Sequence, residues 1–168
     1  MPITHTFTPK SKAELQELIK DDSVYLGDID TSAVTDMSFL FENSNRKDFS
    51  GISSWDVSKV ENMNFMFFEQ HNFNENLNSW NTSALKSMNA IFADCVSFNQ
   101  PLDRWNVGNV RSFRLAFGNC RAFDHSLKTW QISKGAITKK MFENCAIKSQ
   151  NKPVIKQTLW ARILKIFM

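Results

Sequence analysis

Residues 55–79 read WDVSKVENMNFMFFEQHNFNENLNS. The next two stretches, WNTSALKSMNAIFADCVSFNQPLDR from Trp80 and WNVGNVRSFRLAFGNCRAFDHSLKT from Trp105, repeat its residue types offset by offset. Trp130 opens a further copy, so Trp55, Trp80, Trp105 and Trp130 stand at a fixed spacing of 25 residues. Self-similarity at that period marks a stacked array of small units rather than one central core. Five positions after each Trp comes Val60, Leu85 or Val110, and eight after comes Met63, Met88 or Phe113. Phe67, Phe92, Phe117 and Phe142 hold offset twelve; Phe73, Phe98 and Phe123, each followed by Asn or Asp, precede Leu77, Leu102 and Leu127. A divergent copy begins near Ile29, with Val34, Met37 and Phe41 in phase, and the copy from Trp130 degenerates to Gly135 and Thr138. About five units result, the outer two imperfect.

Spacing within one copy predicts its elements. Val60, Met63, Met66 and Phe67 follow the stripe of a short helix. Ser32, Ser58, Ser83, Gly108 and Ser133 precede that stripe as a column of N-caps, and Ser58 with Glu61 fits a capping box. The alternation around each Trp predicts a very short strand, and the Phe-Asn/Asp stretch predicts a turn. The expected fold is an α/β repeat, a solenoid of about five 25-residue coils, each a short strand plus a short helix, with helical caps at both ends.

The string Trp-Asp-Val-Ser-x-Val-x-x-Met, with x-x-x-Phe and later Phe-Asn-x-x-Leu, resembles the BspA-like leucine-rich repeat of bacterial surface and mycoplasma proteins. The likeness spans residues 28–148 and is strongest over Trp55–Met63 and Phe98–Val107. It implies a right-handed leucine-rich-repeat-like solenoid serving as a binding or adhesion module. Members of that family are commonly exported, whereas MPITHTFTPKSKAELQELIKD has no basic start and apolar run, which by itself predicts a cytoplasmic location.

Three regions follow. Residues 1–27 form an N-terminal cap, with a helix entered at Ser11 and Glu14 whose apolar face is Leu15, Leu18 and Ile19, then an edge strand at Val24-Tyr25-Leu26. Residues 28–148 are the repeats. Residues 149–168 form an amphipathic helix from Pro153, with Ile155, Leu159, Ile163 and Phe167 on one face and Lys152, Lys156, Arg162 and Lys165 basic. Capping the last unit is the expected role of that helix; contact of residues 153–168 with a membrane surface is the competing one.

Composition suits one elongated domain: 168 residues, 42% hydrophobic, 15 Phe, and only five Gly and four Pro. The Trp and Phe columns are expected to form stacked aromatic ladders. Cys95, Cys120 and Cys145 share offset fifteen and read as a buried thiol column; three cysteines at that spacing lack the paired ligands of a zinc site, and pairing two would leave one over. His5, His71 and His125 share no offset, and no phosphate loop, nucleophile elbow or His-Glu-x-x-His motif occurs. No enzyme, metal or cofactor is therefore expected. A net charge of +3 makes a nucleic-acid partner the weaker reading, although Arg104, Arg111, Arg114 and Arg121 cluster in one copy.

With each Trp pointing inward, its neighbours point outward. They form two polar columns, Ser54, Ser79, Arg104, Thr129 and Asp56, Asn81, Asn106, Gln131, expected to bind a protein or glycan ligand.

Overall fold

The computed structural model describes residues 5–155. It corrects the expected architecture. Among the described residues there is one α-helix, α1 (Lys12–Lys20), and one sheet of two strands, β1 (Gln131–Ile132) and β2 (Val154–Ile155); turns, loops and three short 3-10 segments make up the rest. The strand-plus-helix unit of a leucine-rich-repeat solenoid does not form in any copy.

Backbone conformation explains why the helical stripe fails to become a helix. Phe39, Phe65, Ala90, Leu115 and Lys140 sit at φ between 48° and 58°, and Asn43, Glu69, Asp94, Asn119 and Asn144 at φ between 53° and 62°. Two left-handed residues four positions apart in each copy interrupt any right-handed helix, at a cost of about 1–2 kcal/mol for each side chain bearing a Cβ. What offsets that cost is a ladder between copies. The N–H groups of Met63, Phe65, Phe67 and Glu69 donate to the carbonyls of Ser87, Asn89, Ile91 and Ala93 at 2.8–3.0 Å. Met88, Ala90, Phe92 and Asp94 donate likewise to Ser112, Arg114, Ala116 and Gly118, and Phe113, Leu115, Phe117 and Asn119 to Ile137, Lys139, Met141 and Glu143. Parallel bridges Asp36–Asn62–Ser87–Ser112–Ile137 thread the same segments. The strand-like pairing between copies thus falls within the stretch expected to be helical; beside the Trp, among the described residues, a strand forms after Trp130 alone, at Gln131–Ile132.

The supposed cap column also has another role. Ser32, Ser58, Ser83 and Gly108 donate their backbone N–H groups to the Oδ1 atoms of Asp30, Asp56, Asn81 and Asn106, two residues back, at 2.9–3.2 Å. These are Asx turns, each followed by an i to i+3 turn such as Val60 N–H to Val57 O, and no helix follows to be capped.

The core runs through all copies. Phe41, Phe67, Phe92, Phe117 and Phe142 stack with centroids 5.5–5.6 Å apart. Phe73, Phe98 and Phe123 form a second column at 5.8 Å, and Trp80, Trp105 and Trp130 a third at 6.2–6.4 Å. Each indole N–H donates to a carbonyl of the preceding copy: Trp55 to Leu26, Trp80 to Ile52, Trp105 to Leu77, Trp130 to Leu102. The Trp is fixed at one position because it fills the core and satisfies a buried carbonyl there.

At the N-terminal end, α1 begins as its sequence indicates. Ser11 Oγ accepts from Glu14 N–H, and the Glu14 carboxylate accepts from Ser11 Oγ and Lys10 N–H. Leu15 and Ile19 are buried against the repeats. The edge strand expected at Val24–Leu26 is absent: Leu26–Asp28 is a 3-10 turn, and Phe7 bridges Ile29 instead. Arg46 locks this junction, donating to the carbonyls of Ile19, Asp21, Val24 and Asp48. Gly51 closes it at φ 85°, where a Cβ would lie 2.4 Å from Gly27 N. At the other end, Val154–Ile155 is a strand pairing in parallel with Gln131–Ile132, so no helix starts at Pro153. The remainder of the expected C-terminal helix lies outside the described residues.

Candidate recognition face

Trp55, Trp80, Trp105 and Trp130 are at most 3% exposed, while all eight neighbours, Ser54, Asp56, Ser79, Asn81, Arg104, Asn106, Thr129 and Gln131, are exposed. Packing the indoles inward through short turns achieves what short strands were expected to do. Hydrogen bonds between copies keep the columns in register. Ser79 Oγ donates to Ser53 O at 3.3 Å and Thr129 Oγ1 to Asp103 O at 2.6 Å; Arg104 N–H donates to Asn78 Oδ1.

Much of the polarity of this face is already engaged. The hydroxyls of Ser54, Ser79 and Thr129 donate to backbone carbonyls, and Asp56, Asn81 and Asn106 spend Oδ1 on their own turns. Gln131 Nε2 donates weakly to Thr129 O at 3.5 Å, and its backbone pairs with β2. The Asp56 carboxyl is held below the usual aspartate range by the hydroxyl and N–H of Ser58, so this corner stays anionic. On the copies that begin at Trp80 and Trp105, what projects without a partner among the described residues is the guanidinium of Arg104 and the amide N–H groups of Asn81 and Asn106, a donor-rich strip flanked by the Asp56 carboxylate in the copy before. Arg111, Arg114 and Arg121 are exposed as well.

Sequence reasoning missed a set of polar ladders. Asn64 Oδ1 accepts from Ser87 Oγ and Asn89 N–H, and Asn89 Oδ1 accepts from Ser112 Oγ and Arg114 N–H. Asn74, Asn99 and Asp124, the residues after the column Phe, each accept from the next copy: Asn99 N–H, Asp124 N–H and Lys148 N–H. The signal was present as Asn or Asp recurring at one offset, and it reads as inter-copy linkage rather than as local turn chemistry. Lys148 pulls the Asp124 carboxyl down to about 2.

The remaining groups singled out by the sequence are placed plainly. Cys95 and Cys120 are buried, and their thiols donate to Phe67 O and Phe92 O at 2.9 Å; Cys145 is half-buried. Burial pushes all three thiols up from their ordinary range. Gln70 holds the same offset one copy earlier and donates to Phe41 O, which makes it a polar homologue of the thiols. His71 Nδ1 meets Asp94 O and His125 Nε2 meets Asn99 O, both across copies. Among the described residues no group of three His, Cys, Asp or Glu could hold a metal ion, and no helix is long and apolar enough to cross a membrane.

Copies cross-linked at one spacing, carrying exposed columns on a shared aromatic core, define a tandem-repeat protein. The chain belongs to the family described as Mycoplasma protein of unknown function, DUF285, whose match covers residues 35–155. No curated protein and no solved structure matches the chain.

Proposed function

We propose that this is a non-enzymatic recognition module of the BspA-like repeat kind, exposed at a bacterial cell surface, that binds a protein or glycan ligand through the face built on the Trp column. One observation supports it above the others: Asn81, Arg104 and Asn106 present uncommitted donors from adjacent copies whose backbones are fixed by the ladder. Rigid placement of hydrogen-bonding groups lowers the ordering cost of binding. The free groups of Asn81, Arg104 and Asn106 are donors, so the ligand offers acceptors to these two copies, such as the hydroxyls and carboxylates of a glycan or an acidic protein loop.

The test exploits the turn chemistry. Asn81→Asp and Asn106→Asp keep the Oδ1 that each turn needs and remove the free amide; Asp56 already holds the same position in its own copy. Combined with Arg104→Ala, they strip the donors without disturbing the fold. A matched control changes the exposed Asn45 and Asn72 to Asp and Arg121 to Ala. Both variants and the native chain are probed on a glycan array and against extracellular proteins displayed singly. Ligands of the native chain should lose at least about tenfold in affinity with the face variant, some 1.4 kcal/mol, and little with the control. Equal binding by both variants refutes the assignment.

A further inference from the structure

The Trp face begins at an exposed aromatic ring. Leu26 holds the place of Ile52, Leu77 and Leu102, since each of the four accepts the indole N–H of the following copy. Tyr25 therefore stands where later copies carry Gly51, Asn76, Pro101 and Ser126, and Asp28 and Asp30 stand where the next copy carries Ser54 and Asp56. Tyr25 is the one aromatic residue in its column. Its ring is seated on backbone: a Cβ at Gly27 would lie 2.5 Å from Tyr25 Cε1, and one at Gly51 would lie 2.8 Å from Tyr25 Cζ, so only glycine leaves room for it. Gly51 O accepts from Ser54 Oγ at 2.7 Å, which joins that seat to the first polar column. Tyr25 is nevertheless 52% exposed, and its hydroxyl has no hydrogen-bond partner among the described residues. A seated tyrosine half in solvent supplies rigid contact area at little cost in conformational entropy.

Charge decides what can lie on it. Asp28, Asp30 and Asp56 bring carboxylates to this end of the face, and the hydroxyl and N–H groups of Ser32 and Ser58 hold Asp30 and Asp56 below the usual aspartate range. The free donors of Asn81, Arg104 and Asn106 come later on the same face. An acidic protein loop or an anionic polymer would suit those donors but be repelled by the carboxylates. A hydroxyl donates and accepts, so it serves both ends, and the C–H face of a pyranose packs on an aromatic ring. We propose that Tyr25 is a sugar-stacking subsite at the N-terminal end of the Trp face, and that the ligand of the face is a neutral glycan. This rests on the reading of the face as a recognition surface and narrows its ligand to one class. Three copy steps of about 4.8 Å separate Tyr25 from Arg104, a span that a tetrasaccharide covers.

Tyr25 is the only tyrosine in the chain, so the full chain labelled with meta-fluorotyrosine gives a single fluorine resonance. The probes are linear tetramers of β-linked glucose, β-linked N-acetylglucosamine and α-linked mannose, with a tetramer of galacturonic acid as the anionic comparison. At least one neutral tetramer should shift the resonance to saturation. By calorimetry, Tyr25→Ala should weaken that tetramer at least about tenfold and Tyr25→Phe less than about threefold. A resonance unmoved by every neutral tetramer overturns the proposal. So does a neutral tetramer bound equally by Tyr25→Ala, or tighter binding of the acidic tetramer than of the neutral ones. If a protein ligand is lost with the combined Asn81→Asp, Arg104→Ala and Asn106→Asp variant while no tetramer moves the resonance, the sugar subsite falls and the recognition face stands. A neutral tetramer lost with Tyr25→Ala but not with those three changes keeps the subsite and refutes the role of the donor strip.

Discussion

Trp105 is the residue whose loss the architecture should feel most, and the size of that loss can be worked from its surroundings. Its ring lies 6.2 Å from Trp80 on one side and 6.4 Å from Trp130 on the other, 6.1 Å from Phe92, and it is 3% exposed. Truncating so large a buried ring costs about 3–5 kcal/mol in lost transfer energy and cavity. Trp105→Ala also strands the Leu77 carbonyl that accepts its indole N–H at 2.9 Å, and an unsatisfied buried acceptor costs about 1–3 kcal/mol. The two overlap in measured truncations, so the expected loss is about 4–5 kcal/mol, a large share of the roughly 5–15 kcal/mol typical of a domain. Trp105→Phe keeps a ring in the stack and loses the hydrogen bond with part of the volume, and should cost about 2 kcal/mol. Arg104→Ala, its exposed neighbour, should stay within about 0.5 kcal/mol. Urea unfolding followed by circular dichroism gives the three values. If Trp105→Ala shifts the midpoint no further than Arg104→Ala, the aromatic column does not hold the copies together and the packing argument fails.

Two further outcomes follow from the inter-copy bonds. Under non-reducing conditions the native chain should expose Cys145 to a thiol reagent first, with Cys95 and Cys120 reacting only as it unfolds and the denatured chain titrating three thiols; a disulfide found by mass spectrometry would overturn this. Asp124 has a folded pKa depressed to about 2, so its link to Lys148 and Asn151 contributes above the ordinary aspartate pKa and is lost as pH falls toward 2. Asp124→Asn should therefore melt below the native chain at pH 6 and alongside it near pH 2, and a gap independent of pH would contradict the linkage.

The positions of the core were legible because burial imposes residue type regardless of backbone path. Val60, Met63, Met66 and Phe67 are all fully buried, as their stripe requires. The path itself was not legible. A spacing of three and four is what a helix face needs, but a chain that turns through left-handed φ at Phe65 and Glu69 buries the same four residues while its N–H groups point to the next copy. Periodicity records which side chains go inward and is silent on where the hydrogen bonds go. The column at offset fourteen held the missing clue: Asn43, Asp94, Asn119 and Asn144 are the residue types that tolerate left-handed φ, and four at one offset mark a conformational requirement.

The same distinction bears on the recognition face. Alternation about the Trp placed all eight polar neighbours outside, yet which of their atoms remain available depends on the turns. Asn81 and Asn106 read in sequence as equivalent to Asp56, but their roles divide within the side chain: Oδ1 holds the backbone of the following residues while the amide nitrogen projects. A carboxylate can do the first job and cannot donate at neutral pH. The Asn-to-Asp exchange therefore separates folding from recognition at a single atom. Its outcome also bears on how copies diverge: Asp56 would then mark a copy that kept the turn and gave up the donor, confining the recognition strip to the copies that begin at Trp80 and Trp105.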